Sequence, residues 1–145
     1  MNSDSLQKKQ IEDFQSLRKK ELAQAQILIA ESDNELLLLF RTHLSSWGMR
    51  SETASSGEET LYYFLQSKEK QRPYDAILLD HLFNPSGLEV AKRIRSEKPG
   101  QKLVLVTTTP KESLPAECLR TTAIKDIDVL TMPFKLTKLA TDLRN

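Results

Sequence analysis

A chain of 145 residues is one domain's worth, long enough to bury a core without disulfides or metals. With 39% apolar and 28% charged residues, wholesale disorder is excluded, and 21 basic against 20 acidic side chains, net +1, lack the basic excess of an electrostatic nucleic-acid binder. The single cysteine, Cys118, has no internal disulfide partner, and the longest apolar run, Leu36 to Phe40, is far too short to span a membrane.

Residues 1–24 are polar and charge-rich and lack Gly and Pro. Leu6, Ile11, Phe14, Leu17 and Leu22 form a sparse stripe of roughly helical period, which predicts a helix over about Ser5–Ala23. This N-terminal helical extension stands apart from a domain spanning 25–145. Its seam is either solvated, packed on the domain, or paired with a second copy as a homodimer. Asp4, Glu12 and Asp13 among the lysines argue against a signal peptide, so a cytoplasmic protein is expected.

Ile27–Ala30 reads as a buried strand ending in Glu31-Ser32-Asp33-Asn34, where Asp33 or Asn34 can cap the next helix. That helix carries Leu36, Leu37, Phe40, Leu44 and Trp47 on one face, with His43 beside it, and Gly48 stops it. Met49–Thr53 has the mixed polarity of an edge strand. Ser56-Gly57-Glu58-Glu59 is a capping box opening a helix with Leu61, Phe64 and Leu65, and Lys68 to Arg72 reads as a solvated loop.

The stretch Asp75–Gly87 organises the chain. Ile77, Leu78 and Leu79 suit a strand covered on both faces, and it ends in a carboxylate, Asp80. Asn84-Pro85-Ser86-Gly87 forces a turn before a helix with Leu88, Ala91 and Ile94. Lys102–Val106 is a fourth strand running into Thr107-Thr108-Thr109. Pro115 starts a helix with Leu114, Cys118 and Leu119. Ile127, Val129 and Leu130 make a fifth strand, followed by Thr131-Met132-Pro133-Phe134 and a last helix with Leu136, Leu139 and Leu143.

Strand and helix alternate five times, which predicts an α/β doubly wound parallel sheet with right-handed crossovers. Ligands of such sheets bind at the carboxyl ends of the strands, where Asp80 stands. No Gly-rich phosphate loop follows any strand, which argues against a Rossmann or P-loop nucleotide site, and no Gly-x-Ser-x-Gly elbow supports a hydrolase.

Taken together, Ile27-Leu28-Ile29-Ala30-Glu31-Ser32-Asp33, Ser56-Gly57-Glu58-Glu59, Ile77-Leu78-Leu79-Asp80, Gly87-Leu88-Glu89-Val90, the strand ending in Thr107, and Thr131-Met132-Pro133-Phe134 resemble response-regulator receiver domains over residues 25–145. The resemblance implies the flavodoxin-like (βα)5 fold with strand order 2-1-3-4-5. It implies that a histidine kinase or phosphotransfer protein phosphorylates Asp80, with Thr107 bonding the phosphoryl group. It also implies Mg2+ held by Glu31, Asp80 and the backbone carbonyl of Leu82. Transfer of this kind works by positioning and charge neutralisation.

The sequence departs from the family in four places. Ser32 replaces the second acid of the first strand. Met132 replaces a lysine. Val129 stands where an aromatic residue often swings inward on activation. The loop from Asp80 to Gly87 is one residue short. Asp33 neighbours Ser32 but points elsewhere, and Lys111, Lys125 and Lys135 stand near the site in sequence only. Glu31 and Asp80 together carry −2, which a phosphoryl group would increase without a lysine to meet it. The expected function is a stand-alone receiver in two-component signalling with weakened Mg2+-dependent phosphorylation and no enzymatic activity beyond self-phosphorylation. It would be read by an unknown downstream protein target, with no nucleic-acid or membrane partner. The alternative is a pseudo-receiver that docks proteins without phosphorylation.

Overall fold

The computed structural model describes residues 5–12, 25–81, 87–109, 113, 114, 120 and 129–144. A short N-terminal helix, α1, covers residues 5–12. Strand β1 (Gln26–Ala30) leads into helix α2 (Asn34–Ser46), β2 (Arg50–Ala54) into α3 (Gly57–Glu69), and β3 (Ala76–Asp80) into α4 (Gly87–Glu97). Strands β4 (Leu103–Thr107) and β5 (Val129–Thr131) precede the last helix, α5 (Leu136–Arg144). The five strands form one parallel sheet in the order β2-β1-β3-β4-β5, as the resemblance implies.

Alternation along the strands sends side chains into two cores. Leu28, Ile77, Leu79, Leu103 and Leu105 meet Phe64 of α3 and Ala91 and Ile94 of α4 on one face. Ile27, Ile29, Leu78, Val104 and Val106 meet Phe40 and Leu44 of α2 and Leu139 and Leu143 of α5 on the other. Each fully buried Leu, Ile or Phe contributes about 1.5–3 kcal/mol. With both faces covered, β3 and β4 must be apolar throughout, and Ala76 to Leu79 and Leu103 to Val106 are all buried. β2 has a neighbour on one side only and alternates exposed Arg50 and Glu52 with partly covered Ser51 and Thr53, as an edge strand does.

Local signals explain the helix ends. Asp33 caps α2, its carboxylate accepting from the Glu35 and Leu36 amides at 2.9 and 3.2 Å, which commits it to the cap. Gly48, at φ 79°, ends that segment in the left-handed region. The Ser56 hydroxyl accepts from the Glu59 amide at 3.1 Å, but the box closes differently from expectation: the Glu59 carboxylate takes the Ser55 hydroxyl at 3.4 Å. Lys68, expected in a loop, belongs to α3, whose length brings it against α4, where it pairs with the Glu97 carboxylate at 3.4 Å.

Gly87 opens α4 where no side chain fits: a Cβ there would lie 2.1 Å from the Asp80 carbonyl oxygen. This close approach brings the start of α4 against the end of β3. In α1, Leu6 and Ile11 are exposed, so the described part of the predicted seam is not covered. The rest of that helix, the loop 82–86 with the Leu82 carbonyl, the helix expected around Cys118, Ile127, and Lys111 and Lys125 lie outside the described residues.

Candidate functional site

Register gathers the site. Ala30 of β1 pairs with Leu79 of β3, so Glu31 and Asp80, one step further, leave neighbouring strands side by side. Asp80 pairs with Val106 of β4, and Thr107 pairs with Thr131 of β5, so Thr107 and Met132 continue the same carboxyl-end edge.

Glu31 is buried, and its carboxyl lies close enough to Asp80 to form a hydrogen bond with it. Burial pushes the Glu31 pKa up from 4.5 to about 7. The amide of Asp33 donates to Glu31 at 3.1 Å and opposes the shift, while the Asp80 charge, the shared hydrogen bond and the Asp33 charge add to it. The pair therefore carries less than the −2 counted from the sequence near neutral pH. Ser32 does more than mark a lost acid: its hydroxyl donates to Asp80 Oδ2 at 3.0 Å.

Thr107 is buried, and its hydroxyl is bonded to Thr109 and His81. The Thr109 amide donates to Oγ1 at 2.9 Å, and His81 Nδ1 lies 2.9 Å from the same oxygen. The sequence reading passed over His81. The signal lies in the strand register rather than in the sequence: the Asp80–Val106 pairing sets the next residues, His81 and Thr107, opposite each other, and the His81 amide donates to the Val106 carbonyl at 2.9 Å.

Met132 is uncharged and half-buried; its amide donates to the Thr107 carbonyl at 2.8 Å and its side chain packs against the core of Ile29, Val106 and Leu130. Lys135 is exposed beside β5 and α5. Val129 is buried in the core shared by α3 and α4.

Two carboxylates and a hydroxyl make a hard-oxygen set, and two acids in contact at a half-buried corner are what a small divalent cation relieves. The donors fit Mg2+, with Glu31 and Asp80 as the residues that would hold it. Among the described residues no group of three or more His, Cys, Asp or Glu is arranged for a metal, so the set is a pair.

The family model for the response regulator receiver domain matches residues 27–144. No curated protein sequence matches the chain. Among solved structures, the chain is similar to the Vibrio cholerae chemotaxis protein CheY4 at 22% identity and TM-score 0.67, over 83% of this chain and 96% of that one. A receiver domain protein from Clostridium thermocellum superposes with TM-score 0.72 at 21% identity, over 83% and 92% of the two chains. TrrA of Thermotoga maritima, solved in complex with Mg2+ and BeF, is 26% identical with TM-score 0.69, over 83% and 96%.

Proposed function

The chain belongs to the response regulator receiver domain family, and from that premise we propose that it accepts a phosphoryl group on Asp80 in two-component signalling, in a Mg2+-dependent phosphorylation that is weakened. One observation carries this reading: Asp80 ends a central strand in direct contact with Glu31 and Ser32, so an acid nucleophile and its neighbouring oxygen donors share one corner.

In the step proposed, an Asp80 oxygen forms a bond to phosphorus as the bond from phosphorus to the donor breaks, and the donor group leaves with the electron pair. The donor is a histidine kinase or phosphotransfer protein, or acetyl phosphate, from which acetate leaves. Asp80 is the nucleophile. The Ser32 hydroxyl, already donating to Oδ2, orients the carboxylate. Thr107 supplies a hydrogen bond to the transferred group. Mg2+, held by Glu31 and Asp80, would supply positive charge for the phosphoryl oxygens. Met132 offers no such charge, which is the physical reason for a weakened acceptor.

The test is intact mass after incubation with acetyl phosphate and Mg2+, beside an Asp80→Asn control. A phosphoryl adduct that disappears in the control is expected, at a rate below that of receivers with the lysine. A chain that stays unmodified would sink the reading.

A second reading, docking without phosphorylation, is favoured by two observations: Met132 is uncharged, and the Thr107 hydroxyl is engaged by His81. A groove of about 680 Å3 bordered by Val129, Pro133, Phe134, Lys138 and Thr141 gives such a partner a place beside β5 and α5. Absence of an adduct, with no response to beryllofluoride, would support it.

A further inference from the structure

We propose that His81 is a latch on Thr107: its imidazole accepts the Thr107 hydroxyl proton and so competes with the phosphoryl group on Asp80 for that hydrogen bond. The inference rests on the phosphoryl-acceptor reading and deepens it.

The argument is one of satisfaction. Thr107 is only 3% exposed, so its hydroxyl proton needs an acceptor inside the protein. One lone pair of Oγ1 is taken by the Thr109 amide at 2.9 Å. Among the described residues, His81 Nδ1 at 2.9 Å is the acceptor within reach of the proton. Nδ1 must then be unprotonated and the ring must carry its proton on Nε2. The opposite tautomer would place two donors on Oγ1 and leave a buried O–H without a partner. The latch is positioned by backbone pairing: the amide of His81 donates to Val106, the residue before Thr107, so the two side chains are held across adjacent strand ends.

The consequence is a cost on the transfer step. A phosphoryl group on Asp80 gains the Thr107 hydroxyl only after the hydroxyl leaves His81. His81 is thus a positioning residue that acts through Thr107.

The test uses the full chain with acetyl phosphate and Mg2+. His81→Phe keeps a ring and removes both nitrogens. It should raise the initial rate of adduct formation about two- to tenfold, the worth of one net hydrogen bond. His81→Asn keeps an acceptor at the same branch point and should stay near the wild-type rate, although it is the poorer substitute for ring packing. In a Thr107→Val background the gain from His81→Phe should vanish. Independently of any adduct, nitrogen-15 spectra of the wild-type imidazole should show Nε2 protonated and a shift of Nδ1 on Thr107→Val.

A His81→Phe rate equal to or below wild type overturns the latch, as does a gain that survives Thr107→Val or a proton found on Nδ1. If wild type takes the phosphoryl group and His81→Phe takes it faster, the acceptor reading and the latch both stand. If neither takes it, the acceptor reading of Asp80 falls together with the latch, whereas equal adducts in both remove the latch alone.

Discussion

At the scale of single residues, the burial of Glu31, with the Asp80 charge beside it, sets how the site responds to pH. Glu31 titrates near 7 in the folded chain against an ordinary 4.5. The native state therefore keeps a proton that the unfolded chain has already released. Stability is unaffected by this group below about 4.5, falls as pH rises from there, and reaches its full loss once pH passes about 7. With no metal present, that loss amounts to up to about 3 kcal/mol. Urea denaturation in EDTA at stepped pH should show the decline, and Glu31→Gln should flatten it. A wild-type stability that follows Glu31→Gln across this window without the extra decline would contradict the raised Glu31 pKa. The same burial explains why the formal charge of the site, counted from sequence, overstates its charge in the fold.

At the scale of elements, close approach and capping decide what can change. The start of α4 is pinned against the end of β3, and a methyl group on Gly87 would collide with the Asp80 carbonyl. Gly87→Ala should cost about 1–3 kcal/mol and slow phosphorylation by displacing Asp80, while Gly100→Ala, with nothing within 4 Å of the new Cβ, should be close to neutral. Thermal melts of the two variants, read beside their adduct rates, separate them. Ser56→Ala removes the cap of α3 and should cost about 1 kcal/mol, without touching the adduct rate. These elements were legible in the sequence because each carries its own local signal. The apolar runs of β1, β3 and β4, the glycine after Trp47, and Ser56 ahead of Glu59 all act through nearest neighbours. What was not legible depends on pairing between distant segments. His81 meets Thr107 only because β3 and β4 align Asp80 with Val106. Lys68 meets Glu97 of α4 only because α3 runs on to Glu69 and lies alongside α4. Glu31, Ser32 and Asp80 were each picked out as strand-end residues, but the hydroxyl-to-carboxylate bond and the shared proton belong to the folded corner.

At the scale of the whole molecule, whatever binds the native site alone raises the stability of the entire domain. Two cores on opposite faces share one sheet, so the strand ends that carry Glu31, Asp80 and Thr107 are held by everything packed below them. Mg2+ binding at that edge therefore reads out as melting temperature. At about ten times its dissociation constant, the cation adds about 1.4 kcal/mol, worth about 4 °C in a domain of this length. The wild-type shift should grow as pH rises through about 7, because Glu31 must shed its proton to serve as a ligand. Ser32→Asp sharpens the test. In EDTA the variant should melt below wild type, since a third carboxylate joins two acids already in contact. In Mg2+ the order should reverse, with binding tighter by roughly tenfold, because ligand charge sets affinity in such sites. A crossing of the two curves requires that Ser32, Glu31 and Asp80 face one cation position. Melting temperatures that ignore Mg2+ in both chains would remove the metal from the mechanism.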